Sequence, residues 1–238
     1  MSLLAGFDFV SEISNETILK LIRTNFELGG ISADPPFEIT IPITGGSAHL
    51  VLTGLNLDLN ADDTATLTYD FDRGSVEIAS PVKLAVCPLA GSIAIQASIS
   101  LQDGDNQTKS LAFAVTGAAI TYTAAADQAI ASSLAGKPIT PAVFKTYANQ
   151  AVTTFVQSAA PPDFGVSFKV VPGANGALAP KLVFERLEVH CIANPSRSKQ
   201  ALALFGILLK ANNAHGDHTK KTATAITAAD DGFGAHEN

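Results

Sequence analysis

The sequence predicts an α+β fold built on a long, strongly bent antiparallel sheet. Three observations carry that expectation. Apolar residues alternate with Thr, Ser and Asp along extended runs, the period-two signature of strands with one buried face. The parity of that alternation switches at or near glycines, where a β-bulge restores the facing and bends the strand. Between residues 125 and 155 the apolar period lengthens to that of a helix, and afterwards strands return.

The first element is a helix. Ser14 is placed as N-cap, Glu16 lies in the first turn, and Ile18, Leu21, Ile22 and Phe26 recur at helical spacing until Gly29-Gly30. Asp34-Pro35-Pro36 forms a turn. Phe37, Ile39, Ile41 and Ile43 then alternate with polar residues. Pro42 has no N–H for a ladder, so this strand belongs at an edge. Gly45-Gly46 marks a hairpin. Ala48, Leu50 and Leu52 share one parity and Leu55, Leu57 and Leu59 the other, which places a bulge at Gly54. Ala65, Leu67, Tyr69 and Phe71 face one way, with Thr64, Thr66, Thr68, Asp70 and Asp72 opposite. Val76 and Ile78 precede Pro81; Val82, Leu84 and Val86 follow it. Ile93, Ile95, Ala97, Ile99 and Leu101 form the next inward set, and Asp103–Asn106 a turn. Leu111, Phe113 and Val115 lead to Gly117, after which Ile120 and Tyr122 switch parity.

Residues 125–135 read as an Ala-rich helix ended by Gly136. Thr140 caps a second helix with Pro141 at its first position. Phe144, Tyr147, Ala148, Ala151, Val152 and Phe155 give that helix one apolar stripe, and Pro161-Pro162 stops it. Phe164–Val170 and Val183–Cys191 return to alternation, the latter with a parity switch near Glu185-Arg186. For Ala201–Leu209 periodicity leaves strand and buried helix both open. Residues 211–238 read as a polar tail or linker, so the expected division is one domain over 1–210 followed by that tail.

Composition narrows the function classes. The chain has 238 residues and is 47% apolar but only 16% charged, so it is not a disordered chain. Net charge is −7 and no basic stripe carries interleaved aromatics, which argues against nucleic acid as a partner. Residues 1–10 are apolar but hold Asp8 and no basic region. No signal peptide and no transmembrane segment is read, which leaves the compartment open between cytoplasmic and non-classically exported. Cys87 and Cys191 lie in apolar stretches, which suits two buried thiols better than one long-range disulfide.

Catalytic and metal chemistry finds no support. No phosphate-cradling glycine loop, dinucleotide fingerprint or nucleophile elbow is present. His49 and His190 sit on strands, with surface roles expected of both. His215-x-x-His218 lacks a fixed third ligand, and Asp103-Gly104-Asp105-Asn106 lacks the downstream glutamate of a calcium loop. Asp58, Asp62, Asp63, Asp70 and Asp72 have no companion His or Lys nearby in sequence to tune them. The expectation is a non-enzyme with no cofactor and no metal.

Gly6-Phe7-Asp8-Phe9-Val10, then Glu12-Ile13-Ser14 and the helix with Ile18 and Ile22, resembles the opening of the tubular lipid-binding (TULIP) proteins of bacteria. That group includes accessory proteins encoded beside clostridial neurotoxins. Its opening typically reads Gly-Trp-Asp-x-Val; here Phe7 replaces the Trp. The order of elements over residues 6–210 is similar too. The resemblance implies a super-roll, a highly curved antiparallel sheet wrapped around a long helix, with an apolar tunnel or groove. It also implies non-enzymatic binding of a lipid or other hydrophobic ligand. The expected lining joins Leu67, Tyr69, Phe71, Ile93, Ile95 and Ile99 of the sheet to Phe144, Tyr147, Ala151, Val152 and Phe155 of the helix. The alternative is a structural or protein-interaction subunit of a toxin-like or secreted assembly, with the same fold and a filled core.

Overall fold

The computed structural model describes residues 7–28, 36–79, 83–103, 108–158, 167–169, 184–194, 199–208, 219 and 233–237. They form two sheets and three α-helices. The smaller sheet holds β1 (Phe9–Ser14), β9 (Phe184–Asn194), β10 (Lys199–Leu208) and β11 (Phe233–Glu237) in the order β11-β1-β10-β9. The larger holds β2 (Phe37–Ile43), β3 (Gly46–Asn60), β4 (Thr64–Ile78), β6 (Gly91–Asp103), β7 (Thr108–Tyr122) and β8 (Ser167–Lys169) in that order. The short β5 (Leu84–Val86) also pairs with β4. All these pairings are antiparallel.

The ladders show why the large sheet curls. Thr53 on β3 and Asp72 on β4 are each skipped in the pairing of those strands, and Thr116 is skipped where β7 pairs with β6. Each extra residue flips the side-chain parity and increases the local bend. The expected switches at Gly54 and Gly117 are therefore present, and Glu185 is skipped likewise on β9. The bulge at Asp72 is new. It fuses two runs read as separate into one continuous strand from Thr64 to Ile78. β2 is an edge strand, as Pro42 requires. The hairpin into β3 turns on Gly45, whose φ of 77° suits a residue without Cβ.

Two helix starts follow the expected caps, Ser14 and Thr140, and a third helix is capped by Thr123, which the sequence reading did not name. The Ser14 hydroxyl accepts from Thr17 N (3.2 Å) at the head of α1 (Asn15–Leu28). Thr123 does the same for Ala126 N (3.3 Å) at α2 (Ala124–Leu134), and Thr140 for Val143 N (3.4 Å) at α3 (Pro141–Ser158). α3 packs on β7 and also touches β2. It thus reaches both sides of the curled sheet and closes the half-barrel.

Three apolar clusters result. The largest lies between the concave face of the large sheet and α2 with α3. The second covers one face of the small sheet, around Phe7, Val10 and Phe205. The third joins the two sheets: Ile18 and Ile22 of α1 pack with Leu57, Leu59, Ala65, Ile99, Phe113, Cys191 and Leu202.

Four expectations are corrected and one open choice is settled. The first element is the strand β1 and not the helix α1, which follows it directly. Ala201–Leu208 is a strand, central in its sheet and apolar on both faces, which is why periodicity could not decide it. Residues 233–237, read as tail, form β11 and pair with the outer side of β1, whose backbone groups would otherwise form an edge. Both cysteines are free, and Cys87 is exposed because the chain has already left β5; Cys191 is buried. Tyr147 points away from the stripe assigned to it, for a reason given below. The expected strand from Phe164 is described only over Ser167–Lys169, and residues 104–107 and 209–218, with His215 and His218, lie outside the described residues.

Candidate functional site

The concave face is built from rows of paired residues. One row runs Leu55–Tyr69–Ile93–Ile120, the next Leu57–Leu67–Ile95–Ala118, the next Leu59–Ala65–Ala97–Val115. No charged side chain falls on these rows. Tyr69, Phe71 and Ile93 are buried in the largest cluster with Phe144 and Val152 of α3. Leu67, Ile95, Ala118 and Phe155 pack against it and stay half-buried. Leu55 and Leu67 also pack against the third cluster, so the middle row lies between two packed regions. Burial pushes the Tyr69 hydroxyl well above the usual tyrosine range.

The structure thus brings together Leu67, Tyr69, Phe71, Ile93, Ile95, Phe144, Val152 and Phe155. It does not bring Ile99 into this group: Ile99 packs at the junction between sheets. Ala151 is half-buried and outside the cluster. Tyr147 is 65% exposed. The cause is the rotation of α3. Asn149 Oδ1 accepts from Ile120 N (2.9 Å). The Thr153 hydroxyl accepts from Ala118 N (3.3 Å) and donates to Ala118 O (3.2 Å). At about 100° per residue, turning Asn149 and Thr153 onto β7 swings Tyr147 outward. Sequence reasoning missed this pair. Their signal was two polar residues four apart, on one helix face, inside an otherwise apolar segment.

An open cavity of about 460 Å³ lies at the end of β4, β6 and β7. Phe71, Gly91 and Tyr122 line it together with Asp70, Ser92 and Thr121. Tyr122 is pushed up to about 12 by burial, with the Asp127 carboxylate adding to the effect. Lys145 bonds Asp127 (2.7 Å) and stands 5.7 Å from the Tyr122 ring centre.

Polar groups elsewhere hold the two sheets together. Asp63, in the turn between β3 and β4, accepts from Cys191 N at Oδ1 (2.7 Å) and meets His190 Nδ1 at Oδ2 (2.8 Å). Glu188 lies 3.4 Å from the other ring nitrogen. The expected surface role of His190 is therefore corrected: the antiparallel turn carries Asp63 onto β9 and encloses the imidazole. His49, by contrast, is exposed as expected and contacts the hydroxyls of Thr40 and Ser47 (3.0 Å each). Among the described residues no group of three His, Cys, Asp or Glu side chains is placed to hold a metal ion. No described helix is long and apolar enough to cross a membrane.

The curled sheet closed by α3 superposes on P47 from Clostridium botulinum A2 with a TM-score of 0.51, covering 94% of this chain and 48% of that one at 11% identity. The chain has a TULIP-like fold. P47 from C. botulinum E1 aligns over 94% of the chain and 49% of its own, with a TM-score of 0.49 and 9% identity. Lipopolysaccharide binding protein aligns over 93% and 54%, with a TM-score of 0.30 and 13% identity. The TULIP-like chain spans about half the length of the solved structures it matches. No family model matches it, and no curated protein matches it by sequence.

Proposed function

We propose that the chain binds a lipid or another hydrophobic molecule on its concave face, without catalysing a reaction. One observation carries this reading. In the apolar, uncharged row Leu57–Leu67–Ile95–Ala118, Leu57 is buried in the third cluster, but Leu67, Ile95 and Ala118 stay half-buried although packed clusters flank them. Apolar area left partly wet at the centre of a fold is worth about 25 cal/mol per Å² when a ligand covers it. Phe155 of α3 would form the opposite wall, with the buried Tyr69, Phe71, Ile93, Phe144 and Val152 as the floor.

The experiment is solvent extraction and native mass spectrometry of purified protein, followed by titration with the fluorescent fatty acid cis-parinaric acid. Uptake of the probe is expected, and Ile95→Trp, which fills the middle row, is expected to weaken it at least tenfold. A protein that carries nothing and takes up no probe would overturn the reading. Co-purification with a protein partner at fixed stoichiometry and without lipid would favour the interaction-subunit alternative instead.

A further inference from the structure

α3 closes the concave face, and its two sides are held by different means. Toward the core it is apolar: Phe144 and Val152 are buried in the main cluster, with Phe155 and Val156 half-buried against it. Toward β7 it is polar. Among the described residues, β8 pairs with β7 at Thr108–Ser110. Farther along, the backbone of Ala118 and Ile120 is met by the Asn149 and Thr153 side chains through three hydrogen bonds. The rest of the sheet is closed by continuous backbone ladders. A seam made of side-chain bonds can exchange them for water when it parts, whereas a ladder must break many bonds together. The outer face of α3 carries Val143 and Tyr147, 44% and 65% exposed, so these two large apolar side chains contribute little to holding the helix down. The seam ends on Ala118, which is the last, half-buried member of the middle row.

We propose that hydrophobic cargo reaches the concave face through the seam between α3 and β7, and that Asn149 and Thr153 are the latch that keeps it shut. The inference rests on the hydrophobic-ligand reading and adds to it the route and the residues that control the rate. The latch acts on passage and not on affinity, because neither side chain belongs to the apolar rows. Weakening it destabilises the closed state with and without cargo.

The test pairs amide hydrogen exchange, read by NMR on the full chain, with stopped-flow binding of cis-parinaric acid. In Asn149→Ala/Thr153→Val, exchange at Ala118 and Ile120 is expected to rise at least tenfold, while Leu67 and Ile95 keep their protection. Probe association and dissociation should both accelerate roughly tenfold, from loss of bonds of ordinary strength, with affinity within about twofold of the parent. Asn149→Asp/Thr153→Ser keeps both acceptors and should restore the parental rates. If protection is lost throughout, the double variant has unfolded, and Asn149→Ala alone is read against the same expectations. Faster exchange at Ala118 and Ile120 with unchanged probe rates overturns the route. Unchanged exchange there overturns the latch. A parent chain that binds no probe overturns the hydrophobic-ligand reading itself, and the route with it.

Discussion

Asp63 joins parts of the chain that are 127 and 128 positions apart. Its φ of 60° is a left-handed conformation that Asp tolerates better than most residues. Its own N–H donates to Asn60 O (3.1 Å), and its carbonyl accepts from Ile99 N (2.9 Å). The carboxylate then reaches β9. Asp63→Ala should cost about 2–4 kcal/mol of unfolding free energy in urea titration, since two charge-assisted contacts are lost from a partly screened site. Asp63→Asn keeps the turn and an acceptor for Cys191 N, and should cost only about 1 kcal/mol. None of this was visible in the sequence. The five aspartates between 58 and 72 could be counted, but strand order alone decides which of them meets a histidine.

Protonation offers a second residue-level prediction. The folded chain holds the Tyr122 proton up to about 12, the Cys191 thiol up to about 12, and the Tyr69 proton higher still, chiefly by burial. The unfolded values are near 10 for Tyr and 9 for Cys. Raised folded values mean that the unfolded chain releases these protons first. Stability from these groups is therefore complete below about pH 9 and is lost as pH rises through 12. Urea midpoints measured between pH 8.5 and 11.5 should fall across that window, and Tyr122→Phe should lessen the fall.

At the level of elements, most strands with one face on the core were legible, but β1 was missed. Its alternation over Phe9–Ser14 is short and runs straight into the Ser14 cap of α1, so the helix read as the first element. Bulges at Thr53, Thr116 and Glu185 were foreseen within a residue or two, because a parity flip leaves a mark in the pattern. The Asp72 bulge was not, since Phe71 and Val76 read as members of separate strands. The rotation of α3 was missed for a different reason: apolar spacing fixes a stripe, but the partners of Asn149 and Thr153 fix which part of it turns inward. Gly91 gives the element-scale prediction. A Cβ there would lie 2.0 Å from the backbone oxygen of Thr121. Gly91→Ala should therefore pry β6 from β7 at that end, cost about 1–3 kcal/mol, and raise amide exchange at Tyr122 before it does so at Phe113.

For the whole molecule, the sequence disclosed the class of fold and its apolar, charge-poor character, and the TULIP resemblance supplied the roll. How the layers meet was not legible, because the cluster between the sheets draws on α1, β3, β4, β6, β7, β9 and β10 at once. That shared packing predicts that the two sheets unfold together. Leu202→Ala, at its centre, should cost about 2–5 kcal/mol and lower the unfolding midpoints of reporters in both sheets together; separate transitions in the parent chain would refute this coupling.

The polar seam along β7 also bears on crowding. Were α3 to part from β7, the backbone groups of Ala118 and Ile120 would lose their Asn149 and Thr153 partners, and sheet borders left without partners stick to one another. Admission of cargo and adhesion between copies would then draw on the same short-lived conformer. The time α3 spends detached would set a ceiling on loading speed. A faster latch would fill the roll sooner and foul it sooner, and a concentrated solution would feel that conflict before a dilute one.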